Sequence, residues 1–275
     1  MSNSKFVSVI ITTKNEIRNI ENCLKSLSSQ TYKNIELIVV DNNSTDKTKN
    51  VAKNYTSLIF NKGPERSAQR NFGAKKAKGK YLLFIDADMI LSENVIKECV
   101  EKINDKIKAI IIPEKSIGEG YWAKCKALER TFYIGDSSIE AARFFENNIF
   151  REVGGYDEKI TGPEDWDLPQ KVKTKYKIGR INSFIIHNEG KVSLVSLLKK
   201  KHYYGFNVSK YFQNNHPLRL TTQQVIYLLR PVFYRKWKLL IKNPLLTAGM
   251  MLMLSLEQLA GFIGFMKGNL SNEKN

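Results

Sequence analysis

Cysteine is scarce in this chain: Cys23, Cys99 and Cys125 are the only three in 275 residues, and none belongs to a CxxC pair. An odd count of widely spaced thiols argues against a disulfide framework and for a reducing compartment. Cys23 and Cys99 fall among the apolar positions of expected helices and read as small core residues. A GxGxxG turn is also missing. The loop after the first apolar strand reads Thr12-Thr13-Lys14-Asn15-Glu16, which argues against a dinucleotide site of the Rossmann type. The opening Met-Ser-Asn-Ser-Lys contains no apolar run, so no secretory signal is expected. Neither an internal repeat nor a low-complexity stretch occurs.

Negative charge is in short supply too. Lysine and arginine number 44 against 27 aspartates and glutamates, a net of +17. The excess is uneven: residues 191–275 hold 13 Lys and Arg but only Glu257 and Glu273. A basic tail behind a milder core fits an anionic surface, either phospholipid or nucleic acid. With 42% hydrophobic and 26% charged residues the chain is globular. Its length allows one sizeable α/β core with sequence left over.

What is present is an alternation of strands and helices. Residues 6–12 form a β-branched apolar run, expected as a buried parallel strand. Ile17, Ile20, Leu24 and Leu27 follow at helical spacing. Residues 35–40 are a second strand ending at Asp41, with Asn42-Asn43-Ser44-Thr45 supplying the turn and N-cap of the next helix. A strand at 58–60, a helix at 68–77, a strand at 81–85, a helix at 93–103 and a strand at 109–112 complete the pattern. Such alternation implies a parallel sheet with right-handed crossovers, and ligands then bind beyond the carboxyl ends of the strands. Further on, 119–133 reads as helix, 142–150 contains a strand, and Val153-Gly154-Gly155-Tyr156 is a turn. Gly162-Pro163 opens a helix towards Tyr176, and 178–186 is a strand ending at His187.

The candidate chemistry lies at those strand ends. Asp86 and Asp88 follow strand 81–85, where a DxD turns two carboxylates towards the open end of the sheet. Hard oxygen ligands suit Mg²⁺ or Mn²⁺, and such an ion stabilises charge on a leaving diphosphate. The same pair could instead cap the next turn. Asp41 ends a neighbouring strand and can accept a hydrogen bond from a base ring N–H. Arg66 and Arg70, four apart on one helical face, can meet a diphosphate. They could equally form a solvated face beside Lys75, Lys76 and Lys78. Asp165, at a helix start, is placed to take a proton from an acceptor hydroxyl, or to sit with Glu164 and Asp167 against the helix dipole. His187 can ligate a metal or a phosphate, or serve structure alone.

Six segments carry a resemblance by their order and spacing. They are Ser8-Val-Ile-Ile-Thr-Thr-Lys-Asn-Glu16, Asp41-Asn-Asn-Ser-Thr-Asp46, Arg66-Ser-Ala-Gln-Arg-Asn-Phe-Gly73, Phe84-Ile-Asp-Ala-Asp88, Gly154-Gly-Tyr-Asp157 and Glu164-Asp-Trp-Asp167. Over residues 7 to about 190 the sequence resembles the family 2 glycosyltransferases of the GT-A fold. The resemblance implies a mostly parallel α/β sheet flanked by helices. It implies transfer from a nucleoside-diphosphate sugar with inversion at the anomeric carbon. It implies that Thr13, Glu16 and Asp41 bind the nucleoside, that Arg70 and Asp86 hold the nucleotide, that Asp88 ligates Mg²⁺ or Mn²⁺, and that Asp165 is the catalytic base. Arg66 joins the nucleotide-sugar set beside Arg70, and His187 joins Asp88 as a metal candidate. One position departs from the pattern: the family's first motif often carries an aromatic residue where this chain has Lys14, which cannot stack on a base ring in the same way.

These readings divide the chain into a catalytic domain over 1–190 and a basic, amphipathic and apolar helical region over 191–275. Residues 193–212 look helical, with Lys199-Lys200-Lys201 and the aromatics Tyr203, Tyr204, Phe206, Tyr211 and Phe212. Residues 223–242 interleave Leu228, Leu229, Phe233, Trp237 and Leu239 with Arg230, Arg235, Lys236, Lys238 and Lys242, as interfacial helices do. Pro231 would kink or start a helix there. Residues 245–266 are apolar apart from Thr247, Ser255, Glu257 and Gln258, and a span needs ~20 residues. Glu257 near the middle would cost roughly 2.5–3.5 kcal/mol in a bilayer centre. The expected arrangement is a helical hairpin in the cytoplasmic leaflet, ahead of a single span or a buried helix. The acceptor is then a lipid-linked saccharide or a glycolipid. A polyprenyl-phosphate glycosyl synthase is the alternative enzyme, and a basic nucleic-acid-binding protein the alternative of another class. The apolar run among the tail's charges suits lipid better than a phosphate backbone, so nucleic acid is not an expected partner.

Overall fold

A computed structural model describes residues 5–213 and 226–272, without the side chains of 209–213 and 271–272. In chain order the elements are β1 (Val7–Thr13), α1 (Ile20–Ser28), β2 (Ile35–Asp41), α2 (Thr48–Ala52), β3 (Ile59–Asn61), α3 (Arg66–Lys76), β4 (Tyr81–Asp86), β5 (Met89–Leu91), α4 (Val95–Lys102), β6 (Ile107–Ile111), β7 (Glu114–Glu119), α5 (Tyr121–Tyr133), β8 (Ala142–Glu146), α6 (Asn147–Glu152), α7 (Glu164–Lys173), β9 (Lys177–Arg180), β10 (Ile185–Lys191) and α8 (Leu194–Gln213). A 3₁₀ turn (Tyr227–Leu229), α9 (Pro231–Arg235), α10 (Trp237–Lys242) and α11 (Pro244–Asn272) follow. The chain forms two compact units. One comprises Met1–Glu114, Glu140–Glu158 and Glu164–Asn188; the other comprises Lys115–Ile139, Lys159–Pro163 and Glu189–Asn275.

The first unit is built on a seven-stranded sheet of order β3-β2-β1-β4-β8-β6-β9. The strands β3, β2, β1 and β4 are parallel, as the alternation implies. Strand β8 runs antiparallel to both β4 and β6. The chain leaves this unit after Glu114 and returns at Glu140 to form β8. Register brings Thr12 level with Asp86 and Thr13 level with Asp41. Three strands therefore finish along one edge.

Both faces of this sheet are covered by apolar packing. One cluster joins Val9, Ile11 and Ile85 to Ile20, Cys23, Leu24 and Leu27 of α1; the other joins Ile10, Val40 and Phe84 to Ala74 of α3. Each Val, Ile, Leu or Phe among them contributes roughly 1.5–3 kcal/mol when fully buried. At Gly73 an added Cβ would lie 2.4 Å from Ile10 Cγ2. Glycine there seats α3 directly on β1 and brings the helix's arginines to the strand ends.

Three local expectations change, and one strand comes unannounced. Ile17 lies before α1 and is 39% exposed, because Glu16–Asn19 form a turn in which Glu16 Oε2 accepts from Asn19 Nδ2. The cap of α2 comes from Asp46, whose Oδ1 accepts from the Thr48 N–H, and not from residues 42–45. The expected strand over 178–186 is two strands. Between them the N–H groups of Asn182 and Ser183 donate to Glu98, turning the chain from β9 to β10, which pairs with β5. Strand β7, with its small and polar residues, has no apolar run to announce it.

The second unit has its own core, in which Cys125, Phe132, Leu197, Phe233, Met250, Met253 and Leu254 are buried together. Helices α8 and α11 pack backbone to backbone: a Cβ on Gly205 would lie 2.0 Å from the Gly261 carbonyl oxygen, and one on Gly264 would lie 2.1 Å from that of His202. Glu257 is 0% exposed and pairs with Lys126 (3.4 Å) and Lys201 (3.5 Å). Arg230 is buried between the Tyr133 and Tyr227 rings and bonds the Tyr133 hydroxyl. The expected amphipathic stretch is broken at Arg230 and at Lys236 into the 3₁₀ turn, α9 and α10, with Pro231 starting α9. Residues 223–225 of that stretch lie outside the described residues, as do the side chains of Tyr211 and Phe212. Pro244–Leu270 is long and apolar enough to cross a membrane by length and composition, with a mean hydropathy of 1.5.

Candidate active site

The site is organised around Arg70. Its guanidinium is 0% exposed and bonds Asp165 Oδ1 through Nη1 (2.7 Å) and both oxygens of Asp86 through Nη2 (3.1 and 3.2 Å). A buried arginine with two carboxylate partners is a structural commitment, and the solvated-face reading of the 66–70 pair is set aside for Arg70. Arg66 is 37% exposed and bonds Glu164 Oε1 at 2.8 Å. It lies 3.9 Å from Asp86 Oδ2.

Local structure explains the pose. Asn71 follows Arg70 on α3 and clamps the Gly154-Gly155-Tyr156 turn, donating to the Tyr156 carbonyl (2.8 Å) and accepting from its N–H (3.0 Å). Both glycines adopt positive φ, as the turn requires. The clamp lays the Tyr156 ring 5.0 Å from the Arg70 guanidinium, a cation–π contact. Gln69, one residue earlier, donates to the carbonyls of Thr13 (3.1 Å) and Val40 (2.7 Å), tying the ends of β1 and β2 together.

Burial pushes the Asp86 carboxyl up in pKa, but the guanidinium groups of Arg70, Arg143 and Arg66 outweigh it and hold Asp86 well below the usual range. Thr12 adds a hydrogen bond at 2.6 Å. Asp165 is likewise pushed up by burial and held lower by the same three arginines. Both are therefore ionised at neutral pH. Burial pushes Glu16 up, the Asn19 hydrogen bond opposes it, and the neighbouring Asp88, Asp46 and Asp86 charges raise it further.

Asp88 and His187 are brought together, with His187 Nε2 3.1 Å from Asp88 Oδ2. The other oxygen, Oδ1, is buried and has no hydrogen-bond partner among the described residues. An orphaned carboxylate oxygen beside an imidazole fits a divalent cation such as Mn²⁺ or Mg²⁺. Among the described residues no group of three or more His, Cys, Asp or Glu is placed to hold a metal ion. Two protein donors suit an ion that takes its remaining ligands from phosphate and water.

The nucleoside-side candidates sit on two interlocked loops. Asn15, at φ 55°, accepts from the Thr45 N–H (2.8 Å), and its own N–H donates to Ser44 Oγ (2.7 Å). Asp41 is buried, and its Oδ2 accepts from the Ser44 N–H at 2.7 Å. The Thr13 hydroxyl is buried and unpartnered among the described residues. Glu16 donates its N–H to Thr48 Oγ1 at 2.9 Å.

Sequence reasoning missed two residues here. Arg143 is buried on β8, its Nη1 3.8 Å from Asp86 Oδ2, and its Nε bonds Glu114 Oε1 at 2.5 Å. Glu114 Oε2 lies 3.8 Å from His187 Nδ1. A lone arginine inside an apolar strand was the available signal, since an unpaired charge does not survive such burial.

A mixed sheet with an acidic cluster at the carboxyl edge of its parallel strands, and helices on both faces, is the GT-A architecture. The sequence model of the family "Glycosyl transferase family 2" matches residues 8–155, and the chain belongs to that family. It is 30% identical over 210 residues to the GalNAc(5)-diNAcBac-PP-undecaprenol beta-1,3-glucosyltransferase of Campylobacter jejuni, covering 68% of this chain and 67% of that one. It is 29% identical over 116 residues to glycosyltransferase GlyG of Streptococcus pneumoniae, 40% of this chain and 38% of that one. Glycosyltransferase GlyA of the same organism matches at 28% over 157 residues, spanning only 21% of GlyA. Among solved structures, the mannosyltransferase PcManGT from Pyrobaculum calidifontis, in complex with GDP-Man and Mn²⁺, superposes with a TM-score of 0.60 at 15% identity, over 99% of this chain and 89% of that one. S. aureus TarS 1–349 in complex with UDP-GlcNAc gives 0.51 at 18% identity, over 98% and 92%. At these identities the structural likeness shows the fold.

Proposed function

We propose that this chain transfers a sugar from a nucleoside-diphosphate sugar to a hydroxyl of a lipid-linked saccharide or glycolipid, with inversion, at the cytoplasmic face of a membrane. The observation that carries the reading is the single cluster in which the buried Arg70 holds both Asp86 and Asp165 beside Asp88. The cluster gathers a nucleotide-side carboxylate, a cation-side carboxylate and a candidate base at one sheet edge. Support for the donor comes from PcManGT and TarS, which share the fold and whose structures hold nucleotide sugars. Support for the acceptor comes from the Campylobacter relative, whose name specifies an undecaprenol-linked saccharide.

In this mechanism Glu16 faces the nucleoside with Thr13 and Asp41 buried behind it; Arg66 and Asp86 face the nucleotide, and the enclosed Arg70 fixes Asp86 in place. Asp88 and His187 would hold the cation, which would supply positive charge against the diphosphate. Asp165 is ionised and reachable, its side chain 25% exposed. It takes the proton of the acceptor hydroxyl as that oxygen bonds to the anomeric carbon. The bond to the diphosphate breaks on the opposite face, which gives inversion. Arg70 orients Asp165 and keeps it deprotonated. A polyprenyl phosphate acceptor would need no such base, so the presence of Asp165 favours a sugar hydroxyl.

We assign catalysis to residues 1–190 and membrane association to 191–275. Exposed Leu228, Leu229, Trp237, Ile241 and Leu245 alternate with Lys238 and Lys242, a composition suited to an anionic leaflet. The test of function is a screen of nucleotide sugars for Mn²⁺-dependent thermal stabilisation. The expected result is one or a few donors that raise the melting temperature only with Mn²⁺, an effect lost in Asp88→Ala. Stabilisation that persists unchanged in Asp88→Ala would remove Asp88 from the cation site.

A further inference from the structure

The β8 register contains a bulge. Ile110 pairs with Phe144 and Ile111 with Ala142, so Arg143 is the residue the ladder skips. Phe144 packs in one core cluster while Ala142 and Phe145, three apart, share the other, as an extra residue between them requires. Bulges re-aim side chains, and this one delivers a buried guanidinium to Glu114 and Asp86. Glu114 then stands between Arg143 Nε, a hydrogen bond at 2.5 Å, and His187 Nδ1, a contact at 3.8 Å beyond hydrogen-bond distance. The backbone fixes the same arrangement: Ile185 N–H donates to the Pro113 carbonyl and Asn188 N–H to that of Asp88, both at 2.9 Å. His187 is thus held between two carboxylates, with Nε2 towards Asp88 and Nδ1 towards Glu114.

We propose that Glu114, anchored by Arg143, is a positioning residue for His187: it turns the imidazole so that Nε2 serves the divalent cation at Asp88. The inference rests on the reading of Asp88 and His187 as the cation's protein donors. Metal-ligating histidines commonly give their second ring N–H to a carboxylate, which fixes tautomer and orientation, and loss of that partner lowers metal affinity about 10- to 100-fold. The arginine has a defined part. It holds one Glu114 oxygen and leaves the other to face the ring. No sequence motif marks either residue, and the bulge is what brings them to the site.

The experiment titrates Mn²⁺ onto the full chain in the presence of UDP and, in a parallel series, GDP, with free Mn²⁺ read by electron paramagnetic resonance. Glu114→Gln is expected to weaken Mn²⁺ binding about 10-fold or more in the native background and to have almost no further effect in a His187→Ala background, since both changes remove the same interaction. The metal-free melting temperature reports any purely structural damage. Native Mn²⁺ affinity in Glu114→Gln, or an equal loss in both backgrounds, would overturn the proposal. Asp88→Ala separates the two levels: Mn²⁺ binding that survives it sinks the underlying site reading instead. If Glu114→Gln does not fold, Arg143→Lys, which keeps the charge and loses the Nε anchor, goes through the same cycle with the same expected dependence on His187.

Discussion

At the scale of single residues the account turns on unequal arginines. Arg70 is fully enclosed by Asp86, Asp165 and Tyr156, whereas Arg66 is 37% exposed. Removing one partner from a buried charge cluster costs about 3–5 kcal/mol, against ~1 kcal/mol or less for an exposed pair. Arg70→Ala should therefore lower the unfolding free energy several-fold more than Arg66→Ala in parallel denaturant titrations. Acid dependence follows from the same cluster. Asp86 and Asp165 have folded pKa values below the ordinary 3.8. Their contribution is fully present above that value and is lost as pH falls through the folded pKa. Stability should thus be insensitive to these groups at pH 5–7 and fall below about pH 4, with a shallower acid limb in Asp165→Asn than in the native chain. A native acid limb of the same steepness as that of Asp165→Asn would show that Asp165 is not held low.

At the scale of elements, the contact between α8 and α11 makes the sharpest distinction. A methyl group on Gly205 or Gly264 would strike backbone at 2.0 and 2.1 Å, while one on Gly261 meets nothing closer than 3.8 Å. Gly205→Ala and Gly264→Ala should each destabilise by about 1–3 kcal/mol. Gly261→Ala should be neutral or stabilising by up to ~1 kcal/mol, the helical advantage of alanine. Thermal melts of the three variants check this ordering. Such a contact is not legible in the sequence, where the glycines look only like weak points in an apolar helix. The strands β1, β2 and β4 were legible, because buried parallel strands are continuous apolar runs that end on Asp41 and Asp86. Strand β7 has no such run, and the break between β9 and β10 depends on Glu98, a residue far away in sequence. In the candidate site, the sequence motifs mark Asp86, Asp88, Arg70 and Asp165, which the structure brings to one sheet edge. Glu114 was not legible, and for Arg143 only the lone charge in an apolar strand was visible, because the one-residue bulge that aims it leaves no local signal.

At the scale of the whole chain, the pairing of Glu257 with Lys126 and Lys201 changes the meaning of the apolar tail. The carboxylate is neutralised inside the second unit, so α11 does not carry an isolated charge in its middle. Trp237 is exposed and provides a probe. Vesicles containing anionic lipid should blue-shift its emission and co-sediment the protein, with binding weakened by salt. Equal binding to neutral vesicles, or preference for duplex nucleic acid at physiological salt, would contradict the membrane assignment. The central claim is that a base at the sheet edge activates an acceptor hydroxyl towards a bound nucleotide sugar. It is tested most directly by measuring sugar transfer and donor affinity side by side for Asp165→Asn. The account predicts native donor affinity with transfer reduced by about 10²–10⁴-fold, and unchanged turnover would contradict it.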